Sequence, residues 1–250
     1  MTDYLKKINQ LDAQLDNPLI HDQIKEVNQI DRYMKEKKIL PTAPRRLGFY
    51  PNEVEKLESC IPRQQKGNIK VTNQLLNSLR QYLSINYGVW SLPNLETAKL
   101  IKEQFKISSV LEIMAGNAYW SKALTEVGLK TIATDSLEWS KTSRTGSQQA
   151  TKVLNLSAPE AIRAFPDVQL VICAWAPNFD ESDLSAIEAW QKYNPSSRLL
   201  FIGEKNGVTN SATFWHQIHF THSSELQAIN HSFTSFDFIE EQIFEIKHEI

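Results

Sequence analysis

The sequence predicts an α/β fold, a mostly parallel sheet with helices on both faces, preceded by a helical region. Two patterns carry this. From residue 109 onward, short apolar runs alternate with amphipathic stretches at helical spacing, and strands alternating with helices imply parallel crossovers. Before that point, apolar residues recur only at helical spacing. The composition, 41% apolar and 22% charged over 250 residues, is that of an ordinary globular chain with room for one sizeable core and an accessory region.

Within the first 40 residues, Leu5, Ile8, Leu11 and Leu15 form one apolar stripe. Ile20, Ile24, Val27, Ile30 and Met34 form a second, and Asn17-Pro18 separates the two. Pro41 and Pro44 disfavour helix around them. A helix is expected over 52–59, a polar loop over 62–68, and a further helix over 72–83 with Leu75, Leu76 and Leu79 inward. The lead-in Tyr87-Gly88-Val89-Trp90-Ser91-Leu92-Pro93 is aromatic and turn-forming, and Asn94 suits the N-cap of a helix over 94–105. Strands are expected at 109–114, 130–135, 151–155, 168–175 and 198–203, with helices at 118–127, 158–165, 181–192 and 211–218. The tail, about 226–248, alternates apolar and polar residues and predicts one or two closing strands. The division expected is 1–85, helical, and 86–250, α/β.

The chemistry concentrates at Val110-Leu-Glu-Ile-Met-Ala-Gly-Asn-Ala-Tyr-Trp120. An apolar strand carrying Glu112 breaks at Ala115-Gly116-Asn117-Ala118 and enters a helix. A second strand then ends on Asp135. Strand, tight turn, helix, strand and acid is the order of a nucleotide-type cofactor site. The helix N-terminus offers free N–H groups, and an acid ending the second strand can accept from two ribose hydroxyls. A diphosphate fits poorly, because the turn holds one glycine and Glu112 would repel phosphate. A cationic ligand without phosphate fits better.

The stretch resembles motif I of the class I S-adenosylmethionine (SAM)-dependent methyltransferases. Glu112 matches the acid and Gly116 the central glycine, while Met114 and Ala118 stand where the outer glycines usually are. The resemblance implies a Rossmann-like sheet with an antiparallel last strand, and SAM as cofactor. It implies cofactor contacts at Glu112, Met114, Ala115, Gly116, Asn117, Trp120, Asp135, Ser136, Asn155, Leu156, Ala174 and Trp175. Amino methyltransferases of the class often carry Asp/Asn-Pro-Pro-aromatic after the fourth strand. Here Trp175 takes the place of the group that grips the acceptor, in Cys173-Ala-Trp-Ala-Pro177. Glu204, in Gly203-Glu204 after the fifth strand, is a candidate general base; Tyr87 and Trp175 join it as candidate catalytic residues. A group of poorly characterised methyltransferase-like proteins shares the features from about Asn86 to Trp215, including Tyr87, Trp90, Pro93 and Tyr119-Trp120. The function implied is methyl transfer to an unidentified acceptor, a small molecule rather than nucleic acid. The helical region is expected to pack over the cofactor mouth. A non-catalytic binding module is the alternative, given the replaced glycines and missing acceptor grip; a nucleic-acid methyltransferase is another.

The second alternative draws on charge. Residues 1–106 carry a net +5 and residues 107–250 a net −7, which fits an anionic partner or simple docking of the two parts. The basic-aromatic segment Pro44-Arg45-Arg46 to Tyr50 could meet a phosphate or a base, or be a solvated linker. His216, His219 and His222 lie three apart, but with no Cys or carboxylate nearby they make a poor metal set, and no metal is expected. Cys60 and Cys173 are too few for a disulfide framework. The absence of any apolar run near the roughly 18 residues of a membrane span, and of a signal-like N-terminus, predicts a cytoplasmic protein with no membrane partner.

Overall fold

The structure is a computed structural model and describes residues 2–248. The helical stripes of the N-terminal region form α1 (Asp3–Leu15) and α2 (Pro18–Lys35), with Asn17 accepting from the Leu19 N–H as the α2 cap. Then come α3 (Pro51–Ser59), α4 (Lys66–Asn77) and α5 (Leu79–Tyr87). Two expectations are corrected here. The stretch 62–68 is a 3-10 turn, Arg63–Gln65, followed by the start of α4. The helix expected over 72–83 is two helices, broken at Ser78, whose hydroxyl donates to the Leu75 carbonyl. No Gly or Pro marks that break.

The α/β part opens with α6 (Leu95–Phe105), whose N-cap Asn94 accepts from the Thr97 N–H at 2.8 Å. The order is then β1 (Ser109–Ile113), α7 (Tyr119–Glu126), β2 (Lys130–Asp135), β3 (Val153–Asn155), α8 (Ala158–Ala164) and β4 (Leu170–Ala174). It continues with α9 (Ser182–Tyr193), β5 (Arg198–Glu204), α10 (Ala212–Gln217), β6 (Phe220–Thr221), α11 (Ser224–His231) and β7 (Glu241–Ile246). The tail needs correction: within 226–248 only β7 is strand. Residues 224–231 are helical because Ser223 caps them, accepting from the Leu226 N–H at 3.1 Å, and Leu226 and Ile229 bury one helical face.

The seven strands lie in the order β3-β2-β1-β4-β5-β7-β6. The first five pair in parallel, and β7 pairs antiparallel with β5 and β6. Side chains alternate across the sheet, so each strand feeds two apolar layers. Val110, Ile172, Leu200 and Ile243 share a core with α1, α2, α4–α7 and α11. Leu111, Val171, Phe201 and Ile246 share the other with α8–α10. The helical N-terminal region is therefore packed into one of the sheet's own cores. It is also pinned by ion pairs: Arg80 of α5 meets Asp237 at 2.7 Å and Glu241 of β7 at 2.8 Å, all three buried.

Candidate functional site

Open α/β sheets bind ligands at the carboxyl ends of their strands, where the strand order reverses. Here that point lies between β1 and β4. A cavity of about 830 Å³ opens there, within the range of small-molecule sites.

The turn after β1 supplies one wall. Met114, Gly116 and Ala118 all adopt the left-handed region, with φ of +50°, +51° and +57°. These are the three positions at which motif I carries glycine. The backbone shape persists although two glycines are replaced, at a cost of roughly 1–2 kcal/mol for each non-glycine residue. Two more left-handed non-glycine residues, Leu137 and Trp175 (both φ +59°), flank the same cavity. Strain of this kind collects at ligand-binding sites, where surrounding contacts hold it in place. The Met114 side chain turns toward α9, where Ser182 Oγ approaches its Sδ at 3.7 Å.

Asp135 closes the turn from beneath. Its Oδ2 accepts from the Gly116 N–H at 2.9 Å and its Oδ1 from the Leu137 N–H at 2.6 Å. Asn117 donates to the carbonyls of Tyr87 (2.8 Å) and Thr145 (2.9 Å), while its buried Oδ1 has no partner among the described residues. Glu112 accepts from the Ser121 N–H, near the start of α7, at 2.7 Å. Burial pushes the Glu112 carboxyl up to about 7, against the lowering effect of the Ser121 hydrogen bond.

Trp175 supplies the opposite wall. Its ring stacks on Trp90, centroids 5.5 Å apart, and its Nε1 donates to Glu241 at 2.6 Å. The Arg80 guanidinium lies 4.8 Å from the ring centroid. Arg80 also donates to the Trp90 carbonyl, so one buried cation fixes both tryptophans.

Of the residues the sequence put forward, Glu112, Met114, Ala115, Gly116, Asn117, Trp120, Asp135, Ser136, Ala174 and Trp175 line the cavity. Four do not. Tyr87 points its hydroxyl at Asp31 (2.6 Å), bound in a network with Tyr82. Glu204 ties its own loop, accepting from the N–H groups of Val208 and Glu240. Asn155 ends β3 and Leu156 follows it, both beside Asp135 but outside the lining. Sequence reasoning missed Trp139, whose indole packs over Gly116 and Gly88; its place four residues after Asp135 was a usable signal. It also missed Arg80 and Glu241, for which nothing local in the sequence speaks. No group of three or more His, Cys, Asp or Glu able to hold a metal occurs among the described residues.

The charges around the cavity share one sign. Glu112, Asp135, Glu138 and Asp180 line it, and among the described residues no Lys, Arg or His does.

No family model matches the chain, and no curated protein is significantly similar to it in sequence. Solved structures do align. Mitomycin 7-O-methyltransferase is 13% identical, over 100% of this chain and 74% of its own, at a TM-score of 0.40. An O-methyltransferase from neocarzinostatin biosynthesis, in complex with SAM and 2-hydroxy-5-methyl naphthoic acid, is 12% identical over 74% of this chain and 60% of its own, at 0.42. Magnesium protoporphyrin IX methyltransferase from Synechocystis, with bound SAM, is 12% identical over 61% and 76%, at 0.38. The fold is read from the sheet itself. Five parallel strands, an antiparallel last strand and a left-handed turn after β1 give this chain a class I SAM-methyltransferase-like α/β fold.

Proposed function

We propose that the protein is a SAM-dependent methyltransferase acting on a small-molecule acceptor. The observation that carries this is the cavity at the carboxyl edge of β1, β2 and β4, whose lining charges are all acidic. Such a site repels phosphate and favours a ligand with a sulfonium and an ammonium.

When bound there, SAM would supply a sulfonium-activated methyl group for the acceptor's lone pair, the S–CH₃ electrons returning to sulfur and the acceptor's proton passing to solvent. The chain's own part is placement and exclusion of water. Glu112 and Asp135 would provide counter-charge, Asp135 would hold the ribose hydroxyls with lone pairs the turn leaves over, and Trp175 stacked on Trp90 would form an aromatic wall. Glu204 and Tyr87 have no role in this account, because their side chains are engaged elsewhere. Residues 1–85 are the helical region, which packs into the sheet's core and contributes none of the described lining residues of the first cavity, and 86–250 the methyltransferase-like part. We place the protein in the cytoplasm, in keeping with its two free cysteines; no described helix is long and apolar enough to cross a membrane.

The test is incubation with SAM carrying an isotopically labelled methyl and a small-molecule extract of cells, read by mass spectrometry. Label should appear in a small molecule with the wild-type protein and not with Asp135→Ala. Cofactor binding without label transfer would favour a non-catalytic binding module, and label in RNA or DNA alone would overturn the small-molecule assignment.

A further inference from the structure

A second cavity, of about 670 Å³, lies against the first. The two share Trp90, Trp175 and Val208, so the stacked tryptophans stand at the junction where the cavities meet. We propose that this second cavity is the acceptor chamber, and that it takes a planar aromatic molecule carrying no negative charge. The assignment as acceptor chamber rests on reading the first cavity as the cofactor site; the ligand class rests on the second cavity alone.

Three observations set that class. The first is exposed apolar surface. Trp90 (48% exposed), Val208 (45%) and Phe238 (49%) all line this one chamber. A cluster of exposed large apolar side chains marks a binding surface where scattered ones do not, and two of the three are aromatic.

The second is charge. Only Arg80 and Asp237 among the described lining residues are charged. Arg80 is consumed: Nε and Nη2 donate to Asp237 and Nη1 to Glu241, all buried. One guanidinium against two carboxylates leaves a net negative charge, and no free cation among the described lining residues to pair with an acceptor's carboxylate or phosphate. Arg46, whose guanidinium stacks on Tyr50 (4.0 Å) and on the lining residue Phe238 (4.4 Å), does not itself line the chamber.

The third is the polar rim. Gln74 and Gln81, both exposed, line the chamber, and their side-chain amides make no hydrogen bond within the described chain. A primary amide both donates and accepts, so the rim suits a neutral hydroxyl, amine or ring nitrogen.

The experiment uses two probes of one shape, 5-hydroxyindole and indole-5-carboxylate, titrated into the full chain by ligand-observed NMR. Gln74→Trp and Gln81→Trp are the variants; both positions are exposed on helices, so the fold is not at stake. For probes of this size a dissociation constant on the order of 1 mM is in range. The proposal expects hydroxyindole to bind at least tenfold more tightly than the carboxylate. Either variant should weaken it at least tenfold while leaving S-adenosylhomocysteine affinity unchanged. No hydroxyindole binding, equal or tighter carboxylate binding, or binding indifferent to both variants would overturn it. Hydroxyindole binding as expected without any binding of S-adenosylhomocysteine would keep the ligand class and overturn the methyl-transfer reading and the acceptor role instead.

Discussion

Glu112 sits fully buried in a parallel strand with its carboxylate on the start of a helix. Its folded pKa, raised by burial to about 7 from an ordinary 4.5, means that between those values the folded chain holds a proton the unfolded chain has released. Stability from this residue is therefore full below about pH 4.5 and falls as pH rises toward 7, by about 3 kcal/mol in all. Urea unfolding from pH 5 to 8 should show that fall in the wild type and not in Glu112→Gln; equal slopes would mean that the acid is not held as described. The same ionisation should help a cationic ligand, so SAM affinity should rise through pH 7 in the wild type only. Glu112 and Asp135 were legible in the sequence because an acid inside an apolar run has few reasons to be there. Glu204 and Tyr87 were legible as residues but not as contacts, since hydrogen bonds to Val208, Glu240 and Asp31 are set by the folded chain.

At the scale of elements, the turn after β1 keeps its left-handed backbone with Met114 and Ala118 in two of the three positions. The shape belongs to the strand-to-helix connection, and glycine is only its least strained occupant. Gly116 and Gly88 should therefore respond differently to a methyl group. At Gly116 (φ +51°) a Cβ would find nothing nearer than 3.7 Å, so Gly116→Ala should cost only the backbone strain, about 1 kcal/mol. At Gly88 (φ +63°) it would sit 2.5 Å from Asn117 Nδ2 and 3.0 Å from Trp139, so Gly88→Ala should cost at least twice as much. Urea midpoints of the two variants check this, and equal losses would contradict the described packing. β1, β4 and β5 were legible as apolar runs with clear ends and β2 by the acid that closes it, whereas β3 has only Val153 and Leu154 as apolar residues and is shorter than the 151–155 expected. The two misread regions had misleading signals. Residues 224–231 carry Leu226 and Ile229 at helical spacing behind the Ser223 cap, but reading the tail as one segment extends the strand-like alternation at 242–247 over them, and the break at Ser78 has neither Gly nor Pro.

Across the whole molecule, the basic front and acidic back halves do not mark a nucleic-acid face at the cavity, whose lining charges are acidic. The two parts meet through a shared apolar core and through Arg80, which reaches Asp237 and Glu241 from 157 and 161 residues away. That contact also sets Trp175, so the helical region and the last strand together shape the wall of the candidate site. Pairings at such separation leave no local trace, which is why the second cavity was not legible beforehand. The central claim is that the acid-lined cavity binds SAM. Thermal unfolding with and without S-adenosylhomocysteine, on the wild type and Asp135→Ala, tests it most directly. Ligand at about 100 times its dissociation constant adds about 2.7 kcal/mol, which is a rise of roughly 5–10 °C for a chain of this size. The account predicts that rise in the wild type, and in Asp135→Ala an affinity more than tenfold weaker with the rise correspondingly reduced. No rise at millimolar ligand, or an equal rise in the variant, would contradict it.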